Sequence, residues 1–215
     1  MSKNEIVIID YGVGNLLSVQ RGFEYFGAKV TLTADHEKIL NADRVVLPGV
    51  GAFGNAMRSL ETLGLVSIIR EIANLQKPLL GICLGMQLFM DESAEFGKTQ
   101  GLGLIPGFVI QVPVRSLTGE ELKIPHIGWS ELRMSSEKTG WEGSLLQDNQ
   151  PGDAAYFVHS FMALPSSPEY RLAHCIYSDY ELPAVIGRNK ITGCQFHPEK
   201  SGEVGLKILR RFMLQ

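Results

Sequence analysis

The sequence is poor in cysteine, with only Cys83, Cys175 and Cys194 among 215 residues. An odd number with no C-x-x-C pair argues against a disulfide framework or a structural zinc site, and suits a reducing compartment. A basic block is also missing: 20 Lys and Arg stand against 23 Asp and Glu, and the basic residues do not cluster. Binders of phosphate backbones carry a basic patch or stripe, so nucleic acid is not an expected partner. Long apolar runs are lacking too. The longest uncharged stretch, residues 99–114, is interrupted by Gly101, Gly103, Pro106, Gly107 and Gln111, and is too short and broken to span a bilayer. Before Asp10 only the four residues Ile6–Ile9 form an apolar run, less than a secretory leader needs, so a cytoplasmic protein is expected. No repeat, low-complexity tract or linker divides the chain. One domain over residues 1–215 is expected, long enough to bury about 70% of its unfolded surface without staples.

What is present alternates. Ile6–Ile9, Val30–Leu32, Val45–Leu47 and Leu79–Ile82 read as strands, the third ending at Pro48. Between them, Leu16–Phe26 and Ala56–Ala73 carry helical spacing, the latter broken at Gly64, and Leu84–Met90 opens another helix. Strands that are apolar throughout, rather than alternately, are buried on both faces, as in a parallel sheet between helices. From Gly107 onward the signals turn to strands: 108–112, 127–132, 156–158, 172–177, 184–186 and 191–196, with a turn at Gly187-Arg188-Asn189-Lys190. A last helix runs to Phe212 with Ser201 as its N-cap. The expected fold is α/β: a mostly parallel central sheet flanked by helices, with an added antiparallel strand region.

The most informative segment is Gly81-Ile82-Cys83-Leu84-Gly85, where a buried strand meets a helix. This is a nucleophile elbow with cysteine in the serine position. Its turn is so sharp that side chains at the flanking positions would collide with neighbouring strands. The thiol projects from the C-terminal edge of the sheet, beside helix N–H groups that favour negative charge. The alternative is one more buried thiol, which is the reading adopted for Cys175 and Cys194, each inside an apolar strand pattern.

A cysteine nucleophile needs an oriented histidine. His197 stands at a strand end with Glu199 two residues on, on the same side if the segment is extended, and Pro198 between them keeps it from curling into a helix. His159, in Tyr156-Phe157-Val158-His159-Ser160, competes but has no acidic neighbour nearby in sequence, and fits better, with Ser160, as a wall of the substrate pocket. No two candidate ligands share a zinc-type spacing, so no metal is expected. Gly49-Val50-Gly51-Ala52-Phe53-Gly54 matches G-x-G-x-x-G after a strand. Pro48, and the lack of an acidic strand end about twenty residues on, count against a dinucleotide site. An oxyanion site, with donors near Gly51 and at Leu84 N–H, and a simple strand-to-helix turn both remain.

Taken together, G-I-C-L-G-M-Q and F-H-P-E resemble the class I (triad) glutamine amidotransferases. D-Y-G-V-G-N-L, L-P-G-V-G-A-F-G, G-L-I-P-G, I-P-H-I-G-W, Y-F-V-H-S and C-Q-F-H-P-E-K-S extend the likeness, over residues 6–205, to the glutaminase subunits of imidazole glycerol phosphate synthase. One departure is Ser130, where that family more often has asparagine, in what reads as a surface loop, so it is expected to leave the chemistry untouched. The resemblance implies a Cys83 thioester, His197 as acid and base, Glu199 orienting it and Gln87 holding glutamine, with no cofactor. It also implies that ammonia passes to a (β/α)₈-barrel cyclase subunit in histidine biosynthesis. Asn15, Trp129 and Lys200 are the rim residues expected at that interface; Trp129 has a buried-core reading as well. Two rivals remain. A cysteine peptidase on the same sheet is disfavoured by Leu84, where such relatives often place histidine. A binding module without chemistry is disfavoured by the intact Cys-His-Glu set.

Overall fold

A computed structural model describes residues 5–136 and 139–215. Residues 1–4, part of the segment weighed as a leader, lie outside the described residues. Strands β1 (Glu5–Ile9), β2 (Lys29–Thr33), β3 (Arg44–Gly49) and β4 (Leu79–Cys83) alternate with helices α1 (Leu16–Glu24), α2 (His36–Asn41), α3 (Phe53–Thr62) and α4 (Leu65–Asn74). Gly64, at φ +66°, separates α3 from α4, as the break in periodicity requires. A single-turn helix, α5 (Leu84–Gln87), follows β4 directly.

The second half supplies β5 (Glu92–Ser93), β6 (Thr99–Gln100), β7 (Gly107–Gln111), β8 (His126–Glu131), β9 (Arg133–Met134), β10 (Ala154–His159) and β11 (Phe161–Pro165). It closes with β12 (Arg171–Tyr177), β13 (Tyr180–Arg188), β14 (Ile191–Cys194) and α6 (Gly202–Met213). The main sheet has the order β2-β1-β3-β4-β14-β13-β12-β9. Its first five strands are parallel and the rest antiparallel. Smaller sheets pair β10 with β8, and β11, β7, β5 and β6 in that order. The mixed α/β sheet with an antiparallel extension is therefore as expected.

Alternate residues of β1 explain the continuous apolar runs. Ile6 and Ile8 join Val19 and Phe23 of α1 and Leu209 and Phe212 of α6 on one face. Val7 and Ile9 join Ile39, Leu60 and Ile69 of α2, α3 and α4 on the other. Both faces being covered, the strands cannot alternate with polar residues.

Three local readings change. Pro48 does not end its strand, because β3 runs on to Gly49, paired with Cys83. Trp129 and Ser130 lie on β8, not in a loop. Ser201 sits at the N-cap of α6 but makes no side-chain cap; its hydroxyl donates to His197 O at 2.7 Å and accepts from Tyr156 N at 3.0 Å. Among the described residues no helix is long and apolar enough to cross a membrane.

Candidate active site

Strands β3, β4 and β14 end on one edge of the sheet, where open α/β folds hold their ligands. The segments that leave them line one cavity of about 380 Å³: Val50 and Gly51, then Cys83, Leu84 and Gln87, then His197 and Lys200. Val158 to Phe161, running from the end of β10 into β11, close another side, with Glu95 and Pro125. Among the described residues no group of three or more His, Cys, Asp or Glu is placed to hold a metal ion.

The elbow is sterically forced. Cys83 takes φ +54° and ψ −110°, a backbone state that costs of order 1–3 kcal/mol for a residue with a side chain. A Cβ on Gly85 would lie 1.8 Å from Leu47 O on β3. On Gly81 it would meet Phe89 at 2.6 Å and Met86 N at 2.7 Å, so there the obstacle is the chain just beyond the elbow and not a neighbouring strand. Gly193 of β14 completes the set, with Met86 Cγ 2.4 Å from its would-be Cβ. A glycine inside a strand signals such close approach, and that signal was available in the sequence.

The thiol is 4.0 Å from Val158 O and 3.8 Å from Gln195 Nε2. His197 Nδ1 lies 2.8 Å from Glu199 Oε1, and both side chains are buried. The segment between them is not extended: Pro198–Lys200 form a short 3-10 turn, which brings the carboxylate under the ring all the same. Proline is well suited to the first position of such a turn, so it starts the turn instead of preventing it. Glu199 Oε2 has no hydrogen-bond partner among the described residues, so the imidazole is the main compensation for this buried charge. Burial alone would lower the His197 pKa; hydrogen bonds to Cys83 and Glu199, with their charges, outweigh it and raise it to about 9. The ring is therefore cationic at neutral pH.

His159 is a different kind of histidine. Burial is the main cause that lowers its pKa to about 4, and its Nδ1 donates to Phe161 O at 2.8 Å. Cys175 and Cys194 are buried strand thiols; burial pushes Cys175 up to about 12 and raises Cys194 further. Neither lines the cavity.

Gln87 reaches the cavity, but its amide group donates to Phe161 O at 2.8 Å and Gln195 Oε1 at 2.9 Å. Only its carbonyl oxygen is left for a ligand. Ser160 and Lys200 line the same space, Lys200 at the exposed mouth. Trp129 is 59% exposed on the outer face of β8, which removes the buried-core reading. Asn15 is exposed at the start of α1, a helix that packs against the 198–200 turn.

Three residues escaped sequence reasoning. Glu95 lines the cavity and accepts from Phe53 N at 2.6 Å; residues 91–101 gave no periodic signal to place it. Gln195, fully buried, joins Gln87 to the thiol. Tyr11 donates to Pro48 O at 2.7 Å behind the Gly49–Gly51 loop. For Gln195 the clue was an amide in an otherwise apolar strand.

A family model described as glutamine amidotransferase class-I matches residues 7–215. Imidazole glycerol phosphate synthase subunit HisH 1 of Legionella pneumophila (strain Lens) is 51% identical over 210 residues, 98% of this chain and 99% of that one. The HisH subunit of Lactococcus lactis is 44% identical over 97% of this chain and 98% of its own. A solved glutamine amidotransferase superposes with TM-score 0.71 at 16% identity, over 97% of this chain and 96% of that one.

Proposed function

The chain belongs to the class I glutamine amidotransferases, among the HisH subunits of imidazole glycerol phosphate synthase, and from that premise we propose how its residues divide the work. The chain is a glutaminase subunit serving histidine biosynthesis. Residues 1–215 act as one amidotransferase domain.

Glutamine enters the cavity with its side-chain amide at Cys83. The sulfur, its proton passed to His197 Nε2, adds to the amide carbon, and the oxygen that becomes negative is received by backbone N–H groups at Gly51 and Leu84. His197, whose Nδ1 is held by Glu199, presents Nε2 toward the thiol and gives its proton to the departing nitrogen. The C–N bond breaks, ammonia leaves, and a thioester remains. Water then adds to the thioester carbon while His197 takes its proton; the C–S bond breaks, glutamate departs, and the proton is shared again between His197 and the sulfur. Gln87 meets the substrate with its carbonyl oxygen, His159 and Ser160 form the wall, and Glu95 supplies the negative charge an α-ammonium group needs. The reaction draws on side chains and backbone alone, with no cofactor called for.

Ammonia released to water becomes ammonium, which has no lone pair for attack, so its delivery calls for a partner that covers the cavity mouth. The partner is the cyclase subunit, in a heterodimer, and the setting is the cytoplasm. Two features support this: Val50, 43% exposed, lines the mouth together with Lys200, and Ile127 and Trp129 of β8, the strand paired with the cavity-lining β10, are 54% and 59% exposed. Asn15 lies at the same edge of the sheet.

The observation that carries the reading is His197 held 2.8 Å from a buried carboxylate in one cavity with a strained cysteine. Cys83→Ala tests it. The complex should lose glutamine-dependent synthesis and keep synthesis from added ammonia, both followed by product formation. Loss of both would make Cys83 a structural residue.

A further inference from the structure

Glu95 makes a contact that the proposed binding of glutamine does not use. Its Oε2 accepts from Phe53 N at 2.6 Å, a short bond between residues 42 apart in the chain. Phe53 is the first residue of α3, and the N-cap before it, Ala52, has no side chain able to receive an orphan N–H. The first turn of α3 holds no acidic residue either. A carboxylate from across the cavity therefore does for this helix what its own first turn leaves undone.

The turn that carries Glu95 is held from several directions. Glu95 N donates to the buried Ser93 hydroxyl at 3.1 Å, and Ala94 N donates to Val109 O at 3.0 Å. Phe96, the next residue, takes φ +52°, a left-handed state rare for an aromatic side chain, although it is 91% exposed. Its ring meets Phe161 of the cavity wall edge-on, with centroids 6.5 Å apart. Backbone strain persists only where the surroundings impose it, and here it accompanies a carboxylate that serves both the cavity and α3.

The bond matters for the loop just before α3. The peptide joining Ala52 to Phe53 is clamped on both sides: Ala52 O accepts from Ala56 N at 3.1 Å, and Glu95 takes the Phe53 N–H. At the other end of the loop, Tyr11 donates to Pro48 O at 2.7 Å. Between these fixed points stand Gly49, Val50 and Gly51, and Gly51, at φ +94°, has open space around it. A loop pinned at both ends turns only in its middle, so the Gly51 N–H has few directions available. Freeing the far end lets the whole loop swing, and the oxyanion donor leaves its place.

We propose that Glu95 is a positioning residue for the oxyanion loop, besides receiving the α-ammonium group of glutamine. One carboxylate oxygen holds the Phe53 N–H and the other is left for the ligand. Recognition of the amino-acid end of the substrate and stabilisation of the transition state then run through one side chain. The kinetic part of this inference rests on the oxyanion placement at Gly51.

Glu95→Gln and Glu95→Ala separate the two tasks. The amide keeps a carbonyl oxygen for the Phe53 N–H but has no charge for the ammonium, and alanine has neither. In complex with the cyclase, the glutamine KM should rise at least about ten-fold in both variants. The kcat of Glu95→Gln should stay within about two-fold of native, and that of Glu95→Ala should fall at least about ten-fold. The contact itself is read by amide hydrogen exchange in the full ¹⁵N-labelled chain. Phe53 should exchange slowly in the native protein and in Glu95→Gln, and at least about ten-fold faster in Glu95→Ala. Leu60, inside α3, should stay protected in all three, which separates a freed peptide from an unfolded helix. A native kcat in Glu95→Ala overturns the proposal, as does an equal fall of kcat in both variants or rapid exchange of Phe53 in the native protein. Full turnover in Gly51→Ala would sink the oxyanion placement instead, and the exchange of Phe53 would then decide the contact alone.

Discussion

Glu199 and His197 show how much a single contact can decide. A carboxylate with almost no exposed side-chain surface carries a charge that water does not reach, and the imidazole is its near neighbour at 2.8 Å. Replacing it with glutamine keeps the shape and removes the charge. Glu199→Gln should lower kcat at least about ten-fold while the glutamine KM moves less than about three-fold, because the ring loses orientation and the pocket does not change. The sign of the pH effect follows from the raised His197 pKa. On the proposed chemistry the cationic ring is the acid for the leaving nitrogen, so kcat/KM of the native enzyme should fall as pH rises through about 9. Without the carboxylate the His197 cation is less favoured, and that alkaline limb should move to lower pH. A change confined to KM would mean that the carboxylate binds substrate. Cys175 and Cys194, buried and away from the cavity, offer the contrast: their alanine variants should keep glutaminase activity and lose about 1–2 kcal/mol of stability, read from denaturation midpoints.

At the scale of elements, the elbow and the glycine loop differ in what their glycines do. Gly85 is a steric necessity, its would-be Cβ 1.8 Å from Leu47 O. Gly51 has open space around it and needs glycine for its backbone, at φ +94°. Gly85→Ala should therefore destabilise the fold by about 1–3 kcal/mol or prevent folding, as overpacking does. Gly51→Ala should stay folded and lose turnover in the complex, because a side chain there restricts the peptide that must point an N–H at the oxyanion. Equal stability losses in the two variants would contradict this division. The same contrast explains what could be read from the chain. The elbow, the F-H-P-E segment and the doubly covered strands were legible, since a turn or a buried strand writes its demand into adjacent residues. The strands Glu92–Ser93 and Thr99–Gln100 were not, being too short for any period to appear. Phe161–Pro165 was hidden by its terminal proline and by β10 only one residue before it. Helix α2 did have a readable start: Asp35 caps Lys38 N at 2.9 Å. The pairing of His126 with His159, 33 residues apart, depends on the register of β8 with β10, which no local pattern states. Ser130, read as a loop residue, was misplaced for the same reason.

For the whole molecule, the order of the sheet decides where a partner must sit. The parallel strands present the thiol, the glycine loop and His197 at one edge, while helices cover both faces. The cavity lies at that edge, with exposed Val50 in its lining, and Ile127 and Trp129 of β8 are exposed as well. A glutaminase whose product is useless unless delivered is best kept idle until the receiving subunit is in place and loaded. The loop between β3 and α3 is suited to that control. Tyr11 pins its start through Pro48 O, and Gly49 and Gly51 flank Val50, so the peptide between them can turn at small cost while the strand behind it stays fixed. On the proposed placement of the partner, docking over exposed Val50 would couple that turn to the interface. Glutamate release by the isolated chain should therefore be slow, and should rise at least about a hundred-fold when the cyclase and its nucleotide ligand are added together, a change of roughly 3 kcal/mol in the barrier. Trp129→Ala should weaken binding of the cyclase by about ten-fold or more, measured by titration calorimetry, if the exposed ring anchors the contact. Full glutaminase activity in the isolated chain would remove the loop from any gating role and leave the Cys83, His197 and Glu199 assignment standing.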